Sequence, residues 1–227
     1  MSVDPRFDRR QLIQGSAALL IAGLAEPLWA GELSASSLKS MLGNASDKAL
    51  DKLATPDGFY RDLAVRILLP GTQGKLASKL MKQGDKLGLT TKLTKSLNDA
   101  ASLAAGEAKP IFRKSVDGLS WTDVPGIALQ NDGATQYLKK SAGSELGIKV
   151  RPLVASALGK FGAFNQLSKL GKTASLLGLN NLTQDGLTDS VTQQAMNGIF
   201  SYIGKEETGL RGNMGGAAKS ILDAVLK

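Results

Sequence analysis

Apolar residues recur every three or four positions along most of the chain, the spacing that places them on one side of an α-helix. The clearest of these stripes stops at Thr55-Pro56-Asp57-Gly58, a turn sequence that ends helices. The pattern therefore predicts a first helix, whose apolar positions are Leu38, Met41, Leu42, Ala45, Ala49, Leu50 and Leu53.

Two further helices are predicted before the middle of the chain. The second ends at Gly88, because glycine commonly terminates helices. The third begins near Thr90 and continues past Ala108. Pro110 is expected to kink or break this third helix, since proline lacks an N–H donor and clashes with the preceding turn. The apolar positions of the second helix are Leu76, Leu80 and Leu87.

The second half of the chain predicts four more helices. Asn131-Asp132 can cap a helix that carries Ala134, Tyr137, Leu138 and Ala142 on one side. A separate stripe starts at Ile148 and ends near Gly162.

Two helices, over about residues 187–205 and 217–226, are expected to close the chain, joined by a glycine-rich connector at residues 209–216. Residues 170–185 are rich in Gly, Asn and Thr and predict a surface loop.

Only residues 59–70 suggest an extended conformation. There Leu63, Val65, Ile67 and Leu69 alternate with Ala64, Arg66 and Leu68, which is the period of a strand. With no internal repeat and no convincing boundary, residues 31–227 are expected to form a single all-α domain, a helical bundle with this one short extended segment.

The first thirty residues resemble a secretory signal peptide of the twin-arginine type. Arg9-Arg10 precedes an uncharged apolar run at residues 15–25, and Ala30 provides a small residue for cleavage. The run is too short to span a bilayer, which needs roughly 20 apolar residues. The mature form is therefore expected in the periplasm with no transmembrane span, exported by the twin-arginine or the general secretory route.

Charge and composition exclude several classes of function. The chain carries a net charge of +8 and contains no histidine and no cysteine, so haem, iron-sulfur and structural zinc sites are not expected. Nucleophilic catalysis by Ser-His-Asp or Cys-His is excluded for the same reason. We expect no cofactor and no metal, apart from the possibility of carboxylate-bound calcium. A basic protein outside the cytoplasm meets anionic lipids, cell-wall polymers and acidic proteins, and nucleic acid is not an expected partner.

Two groups of residues are candidates for contact with a ligand or a surface. Lys75, Lys79, Lys82 and Lys86 share one face of the second predicted helix, where they can contact an anionic surface or simply face solvent. Glu206 and Glu207 fall on the apolar side of the helix that begins near Leu187, if that helix continues past Gly204. Buried carboxylates need cations, and Arg66 and Arg151 are the partners we expect first.

Several segments resemble, in order and spacing, the family of exported bacterial proteins described as domain of unknown function 4197. The segments are Gly58-Phe59-Tyr60, Val65-Arg66-Ile67-Leu68-Leu69-Pro70, Pro110-Ile111-Phe112, Gly133-Ala134-Thr135-Gln136-Tyr137-Leu138, Arg151-Pro152 and Gly198-Ile199-Phe200-Ser201-Tyr202-Ile203-Gly204-Lys205-Glu206-Glu207. The resemblance implies an exported, mainly helical domain without an assigned activity, and it supplies no catalytic residues.

Three functions remain open on the sequence. The first is a non-enzymatic periplasmic protein that binds an unknown ligand or envelope protein near Arg66, Thr135-Gln136-Tyr137, Arg151, Glu206 and Glu207. The second is a carboxylate-dependent hydrolase acting on a cell-envelope glycan. The third is an envelope-associated structural protein that uses the lysine face to contact an anionic lipid or cell-wall polymer.

Overall fold

Helices make up nearly all the regular structure. The computed structural model describes residues 35–70, 89–121, 127, 130–176 and 183–225. No strand occurs in these ranges, so the predicted all-α fold is confirmed. In chain order the helices are α1 (Ala35–Ala54), α2 (Leu89–Asp117), α3 (Gly133–Lys160), α4 (Ala163–Leu176) and α5 (Gln184–Val225).

Four of the helices surround the core. α1 packs on α2 and α5, and α3 packs on the same two helices from the other side. α4 lies outside this arrangement, against α2 and α3. α1 and α3 contact each other far less than they contact α2 and α5, so they occupy opposite corners of the arrangement, as in a four-helix bundle.

The first helix agrees with its sequence pattern. All seven predicted apolar positions are buried, and each fully buried leucine contributes about 1.5 to 3 kcal/mol relative to an exposed one. The chain then leaves the helix through Asp57, which has a left-handed backbone φ of 61°. Aspartate tolerates this conformation better than most residues, which explains why the turn stops the helix there.

Two predicted helix breaks do not occur. α2 continues through Pro110 to Asp117, with Ala108 and Phe112 buried on either side of the proline. α3 joins the two patterns that we predicted as separate helices, and Ile148, assigned to the apolar side, is 73% exposed. Only the predicted end is correct: Gly162 adopts a φ of 69°, the left-handed conformation that terminates a helix.

The end of the chain differs most from the sequence prediction. α5 runs without a break from Gln184 to Val225, so the expected glycine-rich connector at residues 209–216 is helical. Part of the predicted loop at residues 170–185 is also helical, because α4 extends to Leu176. The second predicted helix, with Leu76, Leu80, Leu87 and Gly88, lies outside the described residues.

The segment at residues 55–70 packs across α5. It starts as a series of turns, and only residues 65–69 show the alternation of buried and more exposed side chains of an extended chain, with no partner strand among the described residues. Val65, Ile67 and Leu69 are buried as predicted, but Leu63 is 78% exposed because it lies in a turn, where that alternation does not apply. Gly198 of α5 permits this contact, since a Cβ there would lie 2.9 Å from the ring of Phe59.

Candidate functional site

Glu207 is fully buried, and no other charged residue is buried among those whose exposure the structure describes. Its side chain points from α5 to the first turn of α3, where it accepts hydrogen bonds from three donors. The backbone N–H of Ala134 donates to Oε1 at 3.0 Å, and the N–H of Thr135 donates to Oε2 at 2.7 Å. The Thr135 hydroxyl donates to Oε2 at 2.6 Å.

The carboxylate of Glu207 provides hydrogen-bond acceptors for N–H groups in the first turn of α3. The first N–H groups of a helix lack partners within the helix and carry a partial positive charge, so an anion there is favourable. We expected Asn131 and Asp132 to provide this cap, but Asp132 makes no capping hydrogen bond from its side chain. It accepts a hydrogen bond from the Gln136 side chain instead, at 2.7 Å. Glu207 is therefore the cap of α3, supplied by another helix.

Arg211 neutralises the buried charge. One turn after Glu207 on α5, it donates from Nε and Nη2 to Oε1 at 2.9 Å and 2.7 Å, and its side chain is 12% exposed. Glu207 thus accepts five hydrogen bonds in total. A carboxylate offers about four lone-pair positions, so this one has no acceptor capacity left for a ligand.

Glu206 has a different partner and a different environment. It forms a short ion pair with Lys52 at the end of α1, and it is 17% exposed. The expectation that Arg66 and Arg151 would pair with the two glutamates is therefore wrong. Arg151 binds Asp189 at 2.6 Å and Asp185 at 3.1 Å, near the start of α5.

Arg66 lies beside Tyr60, away from both glutamates. Its Nε donates to the backbone oxygen of Tyr60 at 2.6 Å, and its guanidinium carbon is 4.6 Å from the centre of the Tyr60 ring. Of the seven predicted ligand-binding residues, the structure thus brings Thr135 into contact with Glu207 and leaves Arg66 and Arg151 at separate places. The ligand-binding role of all seven stays a prediction.

The rest of the Thr135-Gln136-Tyr137 segment borders an open groove of about 520 Å³. The Tyr137 hydroxyl donates a short hydrogen bond to the backbone oxygen of Ser120, and its ring lies 5.6 Å from that of Trp121. Gly133 closes one side of the groove, and only glycine fits there because a Cβ would come 2.1 Å from the Ile127 carbonyl oxygen. The remaining lining residues are Ile127, Gln130, Gln136, Lys139 and Lys140.

Two amide side chains that the sequence reasoning missed hold the extended residues 66–69. Asn98 of α2, fully buried, accepts from the N–H of Ile67 at 2.8 Å and donates to its carbonyl at 2.9 Å. Gln194 of α5 does the same for Leu68, with both distances at 2.9 Å. An asparagine beside the apolar stripe of a helix was the available signal for this clamp.

A hydrogen bond between Asp62 and Tyr202 adds a further link between this segment and α5. The Tyr202 hydroxyl donates to Asp62 at 2.7 Å. That hydrogen bond, followed by one from the N–H of Ala64, holds the pKa of Asp62 below its usual value. Burial, and then the bond to Asp62, raises the pKa of Tyr202 to about 12.

The predicted lysine face lies outside the described residues, so its role stays a prediction. It comprises Lys75, Lys79, Lys82 and Lys86. Within the described ranges, no three acidic side chains are grouped so that they could hold a metal ion. None of the helices in those ranges is both long and apolar enough to cross a membrane.

The comparisons with known proteins identify the family. No curated protein and no solved structure matches the chain. A family model does match, over residues 31–227, and its description is protein of unknown function, DUF4197. The motifs that suggested this resemblance all lie within that range. Some are at the Glu207 cap, the Arg66 segment and the contact with Gly198, whereas Pro110-Ile111-Phe112 and Arg151-Pro152 lie elsewhere in α2 and α3. The chain therefore belongs to the DUF4197 family of proteins of unknown function.

Proposed function

We propose that this protein is an exported periplasmic protein that binds a ligand or an envelope partner and does not act as an enzyme. The N-terminal features support export: paired arginines, an apolar run and a small residue at position 30. The family match begins at residue 31, directly after the proposed cleavage site, which is consistent with a leader outside the family domain.

The hydrogen bonding of Glu207 carries the non-enzymatic part of the proposal. A general acid or base must reach the proton that it transfers, within hydrogen-bond distance of the substrate. Glu207 has no exposed surface and accepts five hydrogen bonds from the protein itself. Its best supported role is to join α3 and α5.

The other carboxylates support the same proposal. Among acidic residues 47–207 of the described ranges, each side chain except that of Asp132 lies within 4.0 Å of a lysine or arginine. A glycan hydrolase needs two carboxyl groups on either side of the scissile bond. The two glutamates that we considered for this task are both held by cations, so the hydrolase receives less support than the binding protein.

Export can be tested with the paired arginines. If export uses the twin-arginine route, replacing Arg9 and Arg10 by lysine in the full chain should leave unprocessed protein in the cytoplasm, because that route reads the paired arginines. Normal processing of this variant would instead assign the general secretory route. Arg6→Lys is the matched control and should be exported normally. Mass spectrometry of the wild-type periplasmic protein should show Gly31 as the first residue. Wild-type protein that stays unprocessed in the cytoplasm would contradict the proposal.

The absence of activity can be tested on purified cell-wall glycan. We expect the protein to release no more reducing ends than a heat-denatured sample does. Release by the wild type that is lost in Glu206→Gln or Glu207→Gln, with both variants folded by circular dichroism, would contradict the non-enzymatic proposal and favour the hydrolase.

A further inference from the structure

The extended segment presents its side chains from a fixed backbone. Asn98 and Gln194 bind both peptide groups of Ile67 and Leu68, respectively, so the segment is attached to α2 on one side and α5 on the other. Side chains alternate along extended backbone. Ile67 therefore points into the core, and Arg66 and Leu68 point outward, where Leu68 is 39% exposed.

The head group of Arg66 is fixed as well. Its Nε–H donates to the Tyr60 carbonyl, and its guanidinium carbon lies over the Tyr60 ring, 4.6 Å from the ring centre. The half-buried side chain therefore has little freedom to reorient. Its two terminal nitrogens form no hydrogen bond to any residue that the structure describes.

Arg66 differs in this respect from the other described arginines. Arg61, Arg113, Arg151 and Arg211 each lie within 4.0 Å of a carboxylate. Asp57 and Asp62 of the same segment, and Asp99 of α2, already have other partners. Lys95 pairs with Asp57 and Asp99, while Lys205 lies 4.0 Å from Asp62 and the Tyr202 hydroxyl donates to it. Among Arg61, Arg66, Lys95 and Lys205, only Arg66 thus has no described carboxylate within 4.0 Å.

We propose that Arg66 binds an oxyanion, a carboxylate or phosphate group of a small ligand. The two terminal nitrogens of a guanidinium can donate a parallel pair of hydrogen bonds to either group, and a fixed side chain loses little entropy on binding. The Tyr60 hydroxyl, on the ring beneath the guanidinium, can donate a third hydrogen bond, and exposed Leu68 offers apolar contact to the rest of the ligand. This inference rests on the proposed binding function and names its ligand class.

Nuclear magnetic resonance of the purified mature protein, labelled with ¹⁵N-arginine, tests the site. Inorganic phosphate and succinate are titrated separately at constant ionic strength, and the Nε signal of Arg66 is assigned with Arg66→Lys. We expect at least one of the two anions to shift this signal with saturation, at a Kd of about 1 to 10 mM, the scale of a few kcal/mol. Saturation by only one anion identifies the ligand chemistry.

Two variants make the result specific. Arg66→Lys keeps the charge but loses the paired donors, so we expect the affinity, followed by ¹H–¹⁵N backbone spectra of residues near Tyr60, to fall at least tenfold. Arg61→Lys changes a 79% exposed arginine of the same segment and should leave the affinity within about twofold.

Three outcomes would overturn the inference. The first is an Arg66 signal that neither anion moves. The second is a shift without saturation, of the same slope as that of Arg61. The third is equal affinity in wild type and Arg66→Lys. Because the experiment uses purified protein, its failure would not affect the export test, and failure of export would not affect this result.

Discussion

Charged side chains join α3 to α5 at two places that differ mainly in burial. At the start of α3, Glu207 is fully buried, and its partner Arg211 is 12% exposed. Further along α3, Arg151 binds Asp185 and Asp189, and these three side chains are 41%, 88% and 62% exposed. The distances within the two clusters are similar, so distance alone does not show which one stabilises the fold.

The difference follows from what each cluster must satisfy. The carboxylate of Glu207 accepts hydrogen bonds from N–H groups in the first turn of α3, which have no partner within that helix. These N–H groups are buried, so removing the carboxylate leaves them without an acceptor. Arg151 and its two aspartates remain hydrated, so breaking their contacts returns them to water at little cost. Burial without an alternative partner makes the first cluster structurally essential.

Removal of Glu207 should have the largest effect. Glu207→Ala removes the carboxylate that pairs with Arg211 and accepts from two backbone N–H groups, and the expected loss in unfolding free energy is about 3 to 5 kcal/mol. Glu206→Ala is the matched control, because it removes the neighbouring carboxylate from an ion pair with exposed Lys52 and should cost at most about 1 kcal/mol. Urea melts measure both, and equal costs would contradict the burial argument.

Removal of the Thr135 hydroxyl should have the next largest effect on the unfolding free energy. Thr135→Val keeps the shape of the side chain but removes a hydrogen bond to a charged acceptor, at a cost of about 1.5 to 3 kcal/mol. Thr192→Val is a close control: Thr192 is also buried, but its hydroxyl donates to the neutral carbonyl of Thr188. That change should cost about 0.5 to 1.5 kcal/mol. If Thr192→Val costs as much as Thr135→Val, the charge of Glu207 contributes nothing to this bond.

The hydrogen bond between Tyr202 and Asp62 is intermediate in burial between the two clusters. Its contribution to the unfolding free energy should depend on pH. The lowered pKa of Asp62 means that its contribution is present above its unfolded value, near 3.8, and disappears as the pH falls. The raised pKa of Tyr202 means that its contribution is full below 10 and is lost as the pH rises to about 12. The stability difference between wild type and Tyr202→Phe should therefore be largest between about pH 5 and 9.

Urea melts at pH 3, 7 and 10.5 can check this pH dependence. Asp62 should also titrate closer to its usual pKa in Tyr202→Phe, as measured by nuclear magnetic resonance. A stability difference that is the same at all three pH values would show that the hydrogen bond does not carry the two pKa shifts.

The exposed cluster should have the smallest effect. Arg151→Ala is expected to cost no more than about 1 kcal/mol, and this cost should vanish in 1 M NaCl, where charges are screened over about 3 Å. Glu207→Ala should keep most of its cost in the same salt, because Glu207 is fully buried and salt screens buried pairs much less. If Arg151→Ala lowered the unfolding free energy by several kcal/mol even in 1 M NaCl, the distinction between the buried and the exposed cluster would be contradicted.

The sequence predicted regular, locally determined features well. The apolar stripe of α1 and its Thr-Pro-Asp-Gly end reflect helix periodicity and turn preference, which neighbouring residues decide. The end of α3 at Gly162 is of the same kind. The burial of Val65, Ile67 and Leu69 also followed from local alternation.

Features that depend on tertiary contacts were harder to predict. Gly209 and Gly212 suggested a connector, but each costs only about 1 kcal/mol within a helix, and the Glu207–Arg211 pair and half-buried Leu210 favour its continuation. Because the predicted helix ended too early, Arg211 was not considered as a partner of Glu207. For the same reason, Arg66 and Arg151 were proposed instead.

The candidate site was predicted in part. Glu207 and Thr135 were both identified, but the sequence could not show that a glutamate from α5 replaces the expected cap at Asp132. The clamp by Asn98 was missed because an asparagine beside an apolar stripe does not identify its partners, which are backbone groups 31 residues away.

Hydrogen exchange at the first turn of α3 tests the central claim most directly. Amide N–H groups in the first turn of a helix usually exchange quickly because they lack partners within the helix. If Glu207 caps α3, Ala134 and Thr135 should be protected as strongly as the core of the helix. Gly186, whose N–H is capped by the exposed Thr183, should exchange much faster. Exchange of Ala134 and Thr135 at the rate of Gly186 would contradict the claim that Glu207 is a buried helix cap.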